Sequence, residues 1–159
     1  MRKLSLLTLA AVIAIAVTVG TVAAQPQNFR ARLSGGEEVP PVATNARGQT
    51  QFQLDSSGTM SDFRLIVANI QNVFAAHIHC APQGSNGPVG VTLFSTPPPN
   101  PGPVNGVLAQ GTITAPDGGN GCGWASLAAV VTAMQSGNTY VDVHTLPGFP
   151  GGEIRGQIR

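Results

Sequence analysis

Only three histidines occur in the 159-residue chain, His77, His79 and His144. His77 and His79 are two residues apart in Ala76-His77-Ile78-His79. On an extended strand that spacing puts both rings on one face, with Phe74 and Ile78 on the other. His144 ends Tyr140-Val141-Asp142-Val143-His144-Thr145, where Tyr140, Asp142 and His144 share a face. If the two segments are neighbours, three imidazoles converge. Neutral imidazoles suit Cu(II), Zn(II) or Ni(II), and three protein nitrogens leave an open coordination position. Glu153 is the expected fourth ligand or outer partner. A hairpin joining Tyr140–Thr145 to Glu153–Ile158 would set Glu153 opposite His144, where a carboxylate fixes the imidazole tautomer. Asp142 and Tyr140 are weaker candidates on that face. The competing expectation is structural: the histidines hydrogen-bond loops at one end of the domain, and Glu153 pairs with Arg155.

Other chemistry is poorly supported. Ser34 and Ser95 lack a nucleophile-elbow context. Glu37 and Glu38 are adjacent and face opposite sides of a strand, which is wrong for a carboxylate dyad. Asn86-Gly87 is a turn signal. Gly84, Gly87 and Gly90 lack the strand-to-helix setting of a phosphate loop.

The elements that must position these residues are mostly strands. Phe29–Leu33 and Thr50–Leu54 alternate apolar and polar residues, the period of a half-buried strand. Phe63–Ile70, Val73–His79, Val89–Phe94, Gly106–Thr114, Tyr140–Thr145 and Glu153–Ile158 complete the set, with Gly and Pro clusters between them. Ser126–Gln135 is the exception. Leu127, Val130, Val131 and Met134 follow helical spacing, Ser126 can cap the start and Gly137 sits where a helix ends. Thr96–Pro103 is too rich in proline for a central strand and reads as a stiff loop. The expected fold is all-β: an antiparallel β-sandwich or Greek-key barrel with one short helix, of immunoglobulin-like or superoxide-dismutase-like architecture.

The N-terminus has the layout of a secretory signal: Arg2 and Lys3, an apolar run from Leu4 to Val19, and small residues up to Ala24. Residues 1–24 are therefore expected to be removed, leaving 25–159 as one domain exported to the periplasm or beyond. No membrane insertion is expected after cleavage. Without Arg2 and Lys3 the chain carries six arginines against seven acids, a net charge of −1. That balance offers no overall attraction for nucleic acid or anionic membrane. Cys80 and Cys122 are the only cysteines. In an oxidising compartment they are expected to form a disulfide, stabilising the fold by ~4 kcal/mol in the chain-entropy view.

Several short motifs recur in a fixed order. They are Leu33-Ser34-Gly35-Gly36-Glu37-Glu38-Val39-Pro40-Pro41-Val42, Ala76-His77-Ile78-His79, Asn86-Gly87-Pro88-Val89, Tyr140–Thr145, and Gly152-Glu153-Ile154-Arg155-Gly156-Gln157-Ile158. The series resembles the CHRD (chordin-type) domain from about Phe29 to Arg159. The resemblance implies a β-sandwich outside the cytoplasm and little about activity, since likeness of fold does not settle function. Copper–zinc superoxide dismutase also sets a His-x-His pair on a β-sandwich, but its binuclear centre needs more histidines than this chain has. The expected function is a non-catalytic extracytoplasmic binding or structural module with a three-histidine metal site. The alternative is a mononuclear copper protein with a copper-handling or dismutase-like redox role.

Overall fold

The computed structural model describes residues 27–59, 61–97 and 102–159. The expected signal, residues 1–24, lies outside them. The elements are β1 Asn28–Ser34, β2 Arg47–Leu54, β3 Ser61–Gln71, β4 Val73–His79, β5 Val89–Ser95, β6 Pro103–Ile113, α1 Leu127–Gln135, β7 Tyr140–Thr145 and β8 Phe149–Gln157, with a 3-10 turn at Gly35–Glu37. All eight strands belong to one sheet of order β5-β4-β7-β8-β1-β2-β3-β6. Its pairings are antiparallel. The edge strands β5 and β6 approach each other, so the sheet curls into a nearly closed barrel. Eight strands enclose just enough room for their own side chains. The all-β antiparallel class with one short helix is as expected, realised as one curled sheet.

Alternation decides which side chains enter. In β2, Thr50, Phe52 and Leu54 are buried while Gln49, Gln51 and Gln53 are exposed. The interior joins Leu33, Phe52, Leu65, Val67, Ile78, Val141, Val143 and Ile154 in one apolar cluster. The helix adds Leu127, Val130, Val131 and Met134 to that cluster. It starts where expected: the Ser126 side chain accepts from the Ala129 N–H at 3.4 Å. Gly137, at φ +69°, follows its end. Among the described residues, no helix is long and apolar enough to cross a membrane.

Two differences from the sequence expectation matter. β6 runs from Pro103 instead of Gly106, shortening the proline-rich connection. β8 begins at Phe149, so Thr145 pairs with Phe149 across a tight turn while Val143 pairs with Ile154. The surplus residues of β8 bulge out, which alters the surroundings of His144.

Candidate metal centre

β4 and β7 are hydrogen-bonded neighbours, with His77 opposite Asp142 and His79 opposite Tyr140. Val141, Val143, Ala76 and Ile78 fill the barrel core. The alternate residues His77, His79, Tyr140, Asp142 and His144 therefore stand on the outer face. Water does not reach that face freely, because loops roof it. His79 Nδ1 meets the Gly87 carbonyl oxygen at 2.9 Å. His144 Nδ1 meets the Pro150 carbonyl oxygen at 3.2 Å. Arg155, from β8, donates to Asn86 Oδ1 at 2.9 Å and to the Ser85 carbonyl at 2.8 Å. A disulfide joins Cys80, at the end of β4, to Cys122 and ties this roof down.

The sequence-predicted trio does converge: His77, His79 and His144 each offer a ligand nitrogen within 4.8 Å of the others. A carbonyl oxygen can only accept, so His79 and His144 both carry their proton on Nδ1 and keep a lone pair on Nε2. His144 Nε2 lies 3.2 Å from His77 Nδ1. His79 Nε2 is buried and has no hydrogen-bond partner. Nitrogens held ~2.0–2.1 Å from one tetrahedral metal are about 3.3 Å apart. The first pair already has that spacing, and the third ring needs a shift on the order of 1 Å to join it. Burial holds His79 down to about 4, against the Gly87 contact that favours its charge. Burial, then the neighbouring His77 and His79, hold His144 down to about 4. Burial also lowers His77, with Asp117 opposing. Three neutral rings at neutral pH are what a metal requires.

Glu153 departs from expectation. Its carboxylate accepts from Thr44 Oγ1 and Thr145 Oγ1, both at 2.7 Å. The partner of His144 Nδ1 is the Pro150 carbonyl instead. The bulge in β8 is the cause, since it inserts Pro150 beside His144 and turns Glu153 toward the threonines. Nor does Glu153 pair with Arg155, whose guanidinium is spent on the roof loops and on the Tyr140 ring, 3.5 Å below it. Tyr140 in turn stacks on His79, centroids 4.8 Å apart and planes at 9°.

Sequence reasoning missed one feature beside the site. Glu38 and Asp142 are both buried and hydrogen-bond each other. Desolvation raises both carboxyls, and mutual repulsion raises Asp142 further, while Arg155 opposes. Glu38 Oε1 and Asp142 Oδ1 have no hydrogen-bond partner outside the pair. Gly152 permits the pairing. At φ +133° it sits where a Cβ would come 2.5 Å from Asp142 Oδ1 and 2.9 Å from Glu38 Oε1. Glu38 and Asp142 are far apart in sequence, so adjacency could not reveal the pair. The nearest signal was a buried-face Asp flanked by the Tyr and His of the same strand.

The CHRD domain family matches residues 29–158, and the chain belongs to that family. No curated protein and no solved structure matches it.

Proposed function

We propose that this CHRD domain is an exported, non-catalytic binding module whose His77, His79 and His144 hold one metal ion, Cu(II) in preference to Zn(II). One observation carries the reading. Backbone carbonyls fix two buried imidazoles as Nδ1–H tautomers, and their Nε2 atoms meet Nδ1 of the half-buried His77 in one cluster. A desolvated ring nitrogen without a partner, His79 Nε2, costs free energy unless something occupies its lone pair. Copper is favoured because imidazole-rich sites without thiolate follow the divalent affinity order, which peaks at Cu(II). Export is supported by the layout of residues 1–24 and by the disulfide, a bond that persists in oxidising compartments. Glu38, Asp142, Tyr140 and Arg155 then serve as the rigid polar floor on which the ring pair sits.

The test is titration of tag-free protein with Cu(II), read by electron paramagnetic resonance for nitrogen hyperfine structure, with Zn(II) in competition. One equivalent should bind. Affinity should hold through pH ~6.5 and fall only as the solution approaches about 4, where His79 and His144 take up protons that compete with the metal. His77→Ala, His79→Ala and His144→Ala should each weaken binding at least tenfold, and Glu153→Gln should leave it within about twofold. Copper bound equally well by the three alanine variants, or no stoichiometric binding by the parent, would sink the site and leave the histidines structural.

A further inference from the structure

The near-neutral charge of the chain conceals a strongly one-sided surface. Of the six arginines among the described residues, only Arg155 is buried. The other five lie on and beside the outer face of β1, β2 and β3. Arg30 is paired with Gln51, and Gln51 with Arg64. Arg159 exchanges both backbone hydrogen bonds with Arg30, at 2.7 and 2.9 Å. Directly paired residues project to the same side of a sheet. One row therefore reads Arg159-Arg30-Gln51-Arg64 across four adjacent chain segments, about 14 Å at the usual strand spacing. The next rows add Arg32 beside Gln49 and Arg47 opposite Ser34. All five arginines are exposed.

The acids do not balance them locally: of the seven, only Asp55, Asp62 and Glu37 stand on or beside this face, against five arginines. Glu38, Asp142 and Glu153 are buried. Asp117 is engaged by Thr92, on β5. On the basic face itself Asp62 accepts from Thr112 Oγ1 at 2.6 Å. At its margin Glu37 shares a groove with Arg30, Arg32, Gln83, Gln157 and Arg159. Burying acids in one half of the molecule thus leaves a net positive sheet in the other.

We propose that this face binds an extended acidic polysaccharide. Guanidinium forks recognise carboxylate or sulfate groups through paired hydrogen bonds. The interleaved Gln49, Gln51 and Gln53 side chains both donate and accept, which suits the hydroxyls between successive acidic groups. Rows of side chains at the regular strand spacing match a stiff, repeating ligand. Single-stranded nucleic acid fits less well, because it is held by exposed aromatic rings as well as cations. The rings of this region, Phe29, Phe52 and Phe63, form the neighbouring row that packs into the core.

The experiment is co-electrophoresis and titration calorimetry of the intact protein with polygalacturonate, dextran sulfate, neutral dextran and single-stranded oligodeoxynucleotide. The expected result is binding to one or both acidic glycans and none to dextran. Affinity should fall as salt screens the contacts. Arg30→Gln/Arg64→Gln/Arg159→Gln should lose at least tenfold, and Asp62→Asn should tighten binding. Polygalacturonate against dextran sulfate tells carboxylate from sulfate recognition. Circular dichroism of the triple variant confirms its fold; should it fail to fold, Arg64→Gln alone carries the test with an expected loss of about threefold. The proposal falls if neither acidic glycan binds at low salt, if folded variants bind undiminished, or if the oligonucleotide binds as tightly as the better glycan.

Discussion

The outer faces of the two halves of the sheet are built from equally polar residues and behave in opposite ways. On β1, β2 and β3 the exposed positions are Arg, Gln, Asn and one Asp, in water. On β4, β7 and β8 they are His, Tyr, Asp and Arg beneath loops, and every residue of β7 is buried on both sides. A polar side chain in water contributes little to stability or to special chemistry. The same type of side chain under a roof must find partners or change its protonation. The roofed face shows both responses, with two rings held neutral, two carboxyls raised and an arginine committed to loop oxygens. The lesson is that residue type alone did not mark the site; desolvation did.

Arginine offers the largest test of that contrast. Arg155→Ala under the roof removes the donor that joins Asn86 and Ser85 to β8 and a cation that acts on Glu38 and Asp142. Losing one member of a buried charged network costs about 3–5 kcal/mol. Arg64→Ala on the open face should change stability by no more than ~0.5 kcal/mol. Urea denaturation of the two variants measures both. Equal losses would mean that the roof does not desolvate the site.

Protonation sharpens the contrast further. In metal-free protein His79 and His144 sit at about 4, against ~6.5 in the unfolded chain. Between those values the unfolded chain binds more protons, so this contribution is complete above ~6.5 and is lost as pH falls through the window. Glu38 and Asp142 act in the opposite sense. Their raised carboxyls hold protons that the unfolded chain has released, so their contribution is present at low pH and lost as pH rises. Below ~6.5 the two opposed effects flatten the profile, and above it stability declines through the acid pair alone. Asp142→Asn should weaken the alkaline decline, leaving only the part that desolvated Glu38 contributes, and expose a clear loss on the acid side. Urea midpoints across the range measure both limbs. An alkaline limb identical in Asp142→Asn and the parent would remove the acid pair as its cause.

Much of this was legible before the fold. The strands of the open half follow period two cleanly, so their inward residues could be read directly. The helix announced itself through its Ser126 cap and its apolar stripe. The His-x-His pair and His144 were readable because a strand spacing of two fixes the face, and only the β4–β7 adjacency had to be supplied. The role of Glu153 was not readable, because it depends on where β8 bulges. The Glu38–Asp142 pair was hidden for a different reason. Its members are brought together by a loop crossing from β1 to the roofed face, and no local pattern encodes that crossing. The basic face was hidden by summation, since a net charge counts buried acids and exposed arginines alike.

Two threonines, one in each half, should give effects of opposite sign. Thr145, beside the roofed site, donates to Glu153 Oε2 at 2.7 Å. Thr145→Val keeps the shape and leaves a buried carboxylate oxygen without that donor, a loss of about 1–3 kcal/mol. Thr50 points into the barrel from the open half, opposite Ala31 and Leu65. It is fully buried, and its Oγ1 has no partner. Thr50→Val replaces an unsatisfied hydroxyl by a methyl group of similar volume in an apolar core, so stability should rise by about 1 kcal/mol. Thermal or urea unfolding resolves changes of this size. The double variant should be additive, because the two sites share no partner. A destabilised Thr50→Val would show that its hydroxyl has a partner after all, and the open half would then resemble the roofed half in needing polar groups inside.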